Sequence, residues 1–146
     1  MKMVRIILYC VILSALLFVP LQRIEIAHLE PSQAVWLHQE NGDVILETDT
    51  ADIGIGATVE EALIDMKANS TGIVYLDTAQ YVFVSAEMLQ QIPMLKPFVK
   101  LSVRLCRWEG QGGIQTAKAY ADARDLGLKL SKWQGSSNLP EILSVE

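Results

Sequence analysis

The amino-acid sequence predicts a single α+β (or α/β) domain: a mixed β-sheet with about three helices packed on it, preceded by an N-terminal transmembrane or signal helix. Three observations carry that reading. An apolar run follows two basic residues at the start of the chain. An Asn41-Gly42 pair separates two apolar segments. From Thr58 onward, stretches with helical spacing alternate with short runs of β-favouring residues. A length of 146 residues suits one domain better than two. The expected division is a hydrophobic anchor or signal over 1–22, a tether over 23–33, and an acidic body over 34–146.

The leader comes first. Lys2 and Arg5 precede a stretch, Ile6 to Leu21, with no charged residue. As a helix those sixteen residues reach about 24 Å, against a hydrocarbon core of roughly 30 Å, and Arg5 and Arg23 can snorkel at its ends. A cleavable signal needs small residues before the cut, and Leu21-Gln-Arg-Ile-Glu-Ile-Ala27 has no A-x-A pattern. A retained anchor is therefore favoured over a cleaved signal, with secretion after cleavage as the alternative. Basic residues ahead of the run place the N-terminus in the cytoplasm and the body outside.

Ile24 to Gln33 is polar around Pro31 and reads as a tether. Ala34–His38 and Val44–Glu47 flank Asn41-Gly42, whose tolerance of positive φ makes a β-hairpin. Asp49 to Ala57, with Gly54 and Gly56, reads as a turn. Thr58 and Glu61 form a capping box, and Val59, Ala62, Leu63 and Met66 give the following helix one apolar face ending near Gly72. Ile73–Leu76 and Tyr81–Ser85 read as strands around an Asp77-Thr78 turn. Ala86–Gln91 reads as a helix ending near Pro93, and Leu101–Trp108 as a strand. Thr116–Asp125 is helical, stopped by Gly127; Leu128–Trp133 is a last strand, and Leu139–Val145 an edge or tail. In this order the helices lie on one face of the sheet.

Charge excludes one partner class. Net charge is −5, and only Lys2, Arg5 and Arg23 among the basic residues precede Ile24, which leaves nine basic against seventeen acidic residues in the body. Such a body is repelled by nucleic-acid phosphates, so no nucleic-acid partner is expected. The two cysteines, Cys10 in the leader and Cys106 in an apolar run, form neither a disulfide framework nor a zinc spacing. Cys106 reads as a buried small hydrophobe.

No motif carries catalysis. Gly54-Ile-Gly56 lacks the third glycine of a dinucleotide fingerprint and the Gly-Lys-Ser/Thr of a P-loop. His28 and His38 read as surface residues, and no serine sits in a nucleophile elbow. No catalytic, cofactor or metal residue is assigned, and no cofactor is expected. Arg104, Arg107 and Trp108 form a basic-aromatic set of the kind enriched at interfaces. Asp77, a carboxylate between two apolar runs, is the other polar position of interest. These four are the expected interaction surface.

Gly56-Ala-Thr-Val-Glu-Glu-Ala-Leu63, followed by Gly72-Ile-Val-Tyr-Leu76 and Tyr81-Val-Phe-Val-Ser85-Ala-Glu-Met-Leu89, resembles one segment of the Ger(x)C-type spore-germination lipoproteins, over about residues 54–89. The chain departs from that family in lacking a lipobox cysteine, in its length, and in carrying Leu76-Asp77-Thr78 where a Gly-His pair belongs. The resemblance implies a non-catalytic subunit at a membrane surface, working with integral-membrane partners in a spore-forming bacterium.

The function expected is therefore a membrane-anchored, non-catalytic, extracytoplasmic module that binds a membrane or envelope protein. The alternative is a small exported hydrolase-like enzyme using the Asp77 carboxylate.

Overall fold

A computed structural model describes residues 1–18, 29–135 and 138–143, and in it Asn41 and Gly42 take φ of 52° and 88°. Two consecutive positive φ values close the tight turn whose twist matches its strands. That turn joins β2 (Ala34–Glu40) to β3 (Asp43–Thr48) as the antiparallel hairpin the sequence predicts.

The other strands are β1 (Leu29–Pro31), β4 (Ile53–Gly56), β5 (Ile73–Tyr75), β6 (Tyr81–Val84), β7 (Arg104–Arg107) and β8 (Leu128–Lys129). The helices are α1 (Lys2–Phe18), α2 (Val59–Asn69), the single turn α3 (Ile92–Leu95) and α4 (Ile114–Arg124). Six strands form one mixed sheet in the order β4-β3-β2-β6-β7-β8. β2, β6 and β7 run parallel at its centre; β3, β4 and β8 are antiparallel to their neighbours.

Central parallel strands are covered on both faces, and here each face has its own core. Val35, Leu37, Val82, Val84 and Leu105 point to the side packed by Ala62, Leu63 and Met66 of α2 and Ile92 and Leu95 of α3. Ala34, Tyr81, Phe83 and Cys106 point to the other side, under Ala117 and Ala121 of α4. The expectation of helices on one face is corrected by α4. Its small residues at i and i+4 let the helix lie close on the aromatic side of the sheet.

Several local expectations change in the same way. Ile53–Gly56 is a strand rather than part of a turn, because α2 packs directly on it. A Cβ on Gly54 would lie 1.9 Å from the Ala62 carbonyl oxygen, and one on Gly56 2.6 Å from the Ala62 nitrogen. The capping box forms with one change. Glu61 N donates to Thr58 Oγ1 at 3.2 Å, while the Glu61 carboxylate accepts from Ala57 N at 2.9 Å, one residue before the cap. Pro93 does not end the segment after β6. A 3₁₀ stretch over Ala86–Gln91 continues into α3, and Pro93 sits in its first turn, where a missing N–H costs nothing.

β5 leaves the main sheet and pairs in parallel with β1, so Leu29–Pro31 belongs to the fold and not to a tether. Ser32, directly after it, is fully buried. β7 is four residues long, shorter than predicted, and β8 two, followed by a 3₁₀ turn over Leu130–Lys132. The C-terminal segment contributes one bridge, Arg107 to Glu141; residues 144 and 145 of the predicted tail lie outside the described residues. α4 ends at Arg124, capped by Asp125 with φ of 49°, before Gly127 is reached.

Nor is the expected membrane-spanning helix supported. No helix among the described residues is long and apolar enough to cross a membrane. α1 has 17 residues, or about 26 Å at helical rise against a core of roughly 30 Å. The rest of that predicted run, and most of the tether with His28, lie outside the described residues.

Candidate functional site

The sheet brings Asp77 and Arg104 to one place and sends Arg107 and Trp108 elsewhere. Alternation along β7 explains this: residues 104 and 106 face α4, and residues 105 and 107 face the opposite core. Arg107 Nη2 pairs with Glu141 Oε2 at 2.7 Å. Trp108 is 1% exposed, with Nε1 donating to Gln111 O at 3.2 Å and its ring set edge-on to Phe83 at 5.6 Å. The four residues expected to share one surface therefore fall in three environments.

Asp77 and Arg104 line a cavity of about 460 Å³ at the amino ends of β6 and β7. Asp77 is exposed on the 3₁₀ turn Leu76–Thr78 that follows β5. Thr78 Oγ1 donates to Ser32 O at 3.0 Å, which ties that turn to the start of β2. Tyr81, Lys100, Asp122 and Asp125 also line it. In the sequence each of these four sits in an ordinary strand, loop or helix position. Only the parallel pairing of β6 with β7, and the return of α4 across them, makes them neighbours.

Most of the charge in the cavity is already paired. Arg104 Nη1 and the Asp125 carboxylate form an ion pair, and that hydrogen bond is the main reason the guanidinium is held above its ordinary range. Lys118 Nζ meets Asp122 Oδ2 at 2.7 Å, and Tyr81 Oη donates to Asp122 Oδ1 at 2.8 Å. The Lys118 hydrogen bond, with that from Tyr81, pulls the Asp122 carboxyl below its usual range. Burial, and then the hydrogen bond to Asp122, push the Tyr81 phenol up to about 12.

The shifts of Tyr81, Arg104 and Asp122 all lead away from neutral pH, where general acid–base catalysis is most efficient. No group of three or more His, Cys, Asp or Glu among the described residues could hold a metal ion. Asp77 and Lys100 make no ion pair among the described residues, while Arg104, Asp122 and Asp125 are each held in one.

His38, expected at the surface, is instead half-buried. Its ring stacks on Trp36 at 3.7 Å, and Nε2 lies 3.0 Å from Glu47 Oε1. Period-2 alternation along β2 puts Trp36 and His38 on one face, and that was the signal available in the sequence. No protein-family model, curated protein or solved structure matches this chain.

Proposed function

We propose that this chain is a non-catalytic binding module, held at a membrane through its N-terminal segment, whose body engages a membrane or envelope protein outside the cytoplasm. The observation that carries the reading is the surface of α1. Val4, Ile6 to Tyr9 and Val11 to Leu13 are each between 49% and 74% exposed. Because they occupy consecutive positions, they surround the helix rather than forming one stripe. A helix apolar on all sides is stable only when lipid or another chain covers it. The paired charges of the Asp77–Arg104 cavity favour binding over catalysis. The resemblance of residues 54–89 to spore-germination lipoproteins supports a spore or envelope setting.

Fractionation of the full chain tests this. We expect the protein in the membrane pellet after an alkaline carbonate wash, and cross-linked to a membrane protein in mild detergent extracts. A Leu8→Glu, Ile12→Glu double variant should move to the soluble fraction. Wild-type protein that washes off with carbonate and elutes alone in mild detergent would overturn the proposal.

A further inference from the structure

A second cavity lies at the opposite, carboxyl ends of the parallel strands, where open α/β sheets usually hold ligands. It has a volume of about 330 Å³. All three central strands contribute: Trp36, His38 and Glu40 from β2, Ser85 and Glu87 just beyond β6, and Glu109 just beyond β7.

Two polar atoms here have no partner. Ser85 is 6% exposed, and its Oγ makes no hydrogen bond; the Trp36 Nε1–H is likewise buried and unpaired. Ser85 N donates to Leu37 O at 3.0 Å, continuing the β2–β6 ladder by one residue. The side chain of Ser85 therefore stands beside that of His38 on the α4 face of the sheet. A buried donor without an acceptor costs about 1–3 kcal/mol, and two such residues lining one cavity favour a ligand that brings oxygen acceptors.

The charge of the lining specifies the rest of the ligand. Glu40, Glu87 and Glu109 are all in the lining, and no Lys or Arg is. Glu109 is fixed by the backbone, since its Oε1 accepts the Ala86 N–H at 3.0 Å. Carboxylates in the lining call for a cation, and unpaired donors call for a neutral oxygen.

We infer that this cavity binds a small hydroxylated amine of about the size of one amino sugar, its ammonium group toward Glu87 and Glu109 and a hydroxyl oxygen toward Trp36 Nε1 and Ser85 Oγ. The inference does not depend on membrane attachment or on a protein partner.

Titration of the full chain in detergent micelles with glucosamine, followed at the Trp36 indole N–H resonance, tests it. Glucose serves as the uncharged analogue and lysine amide as the mimic of a partner's side chain. We expect saturable glucosamine binding at least about tenfold tighter than glucose, weakened about tenfold by Ser85→Ala and by Glu87→Gln. Glu87 is exposed, so its variant serves even where Ser85→Ala disturbs folding. No saturable glucosamine response overturns the inference, as does equal binding of glucose. Lysine amide binding without glucosamine binding overturns the amino-sugar assignment, and unchanged affinity in both variants overturns the location.

Discussion

The Tyr81 hydroxyl donates to Asp122 Oδ1 at 2.8 Å, joining the first residue of β6 to α4 across the aromatic core. It is a cross-layer contact, since Tyr81 is buried in the sheet and Asp122 stands on the helix covering it. Removing the hydroxyl with Tyr81→Phe leaves Asp122 paired to Lys118, so we expect a loss of about 1 kcal/mol in denaturant unfolding, with no change of fold.

The same contact makes an alkaline prediction. The Tyr81 phenol is raised to about 12, above its ordinary value near 10. A proton held more tightly in the folded state stabilises fully below the unfolded pKa, and the gain is lost as pH rises toward 12. Absorbance titration of phenolate should show one of the four tyrosines ionising about two units late. The late step should vanish in Tyr81→Phe, and the steeper loss of stability above pH 10 should vanish with it.

Asp122 gives the opposite sign at low pH. Lys118, and then Tyr81, hold its carboxyl below the usual range. Its contribution is therefore present above about pH 4 and disappears as pH falls through the lowered value. Carboxyl NMR should find Asp122 titrating below an ordinary aspartate. Lys118→Ala should move that midpoint upward, toward the ordinary value.

Gly54 tests the packing of α2 on β4. Its φ is not positive, so alanine is conformationally acceptable there, but the added Cβ would sit 1.9 Å from the Ala62 carbonyl oxygen. We expect Gly54→Ala to cost about 3 kcal/mol through overpacking. Gly42→Ala provides the contrast: its Cβ meets nothing within 4 Å, but φ is +88°, so only backbone strain of about 1 kcal/mol is incurred. Equal costs in thermal melts would refute the steric account of Gly54.

That contrast shows what the sequence makes legible. Asn41-Gly42 and the Thr58 cap are local chemistry, fixed by a few adjacent residues, and both were readable. The strand at Ile53–Gly56 was not, because Gly54 and Gly56 look like turn residues until a helix is known to lie on them. The candidate site has the same limit. Asp77 was legible as a polar break between apolar runs, and Arg104 as a charge in a strand. Their convergence depends on the order β2-β6-β7, set by parallel pairings between segments far apart in sequence. Ser85 and His38 become neighbours through that same long-range register.

Cys106 offers the last test, and it separates burial from reactivity. Its position in β7 faces α4, where it is fully buried and packs with Phe83 and Trp108. Burial pushes its thiol up to about 12, against an ordinary value near 8.5. The thiolate is the reactive form, so Cys106 should be inert to thiol reagents at pH 8 in the folded protein. With Cys10 replaced by alanine, so that Cys106 is the single thiol, we expect labelling only on unfolding. The sign of the linkage follows: the folded state holds the Cys106 proton, so stability is intact below the unfolded pKa and declines as pH rises toward 12. Cys106→Ala should keep the fold while removing the slow-reacting thiol. Prompt labelling of Cys106 under native conditions would show that the sheet face beneath α4 is open to solvent, and the two-sided core would then be wrong.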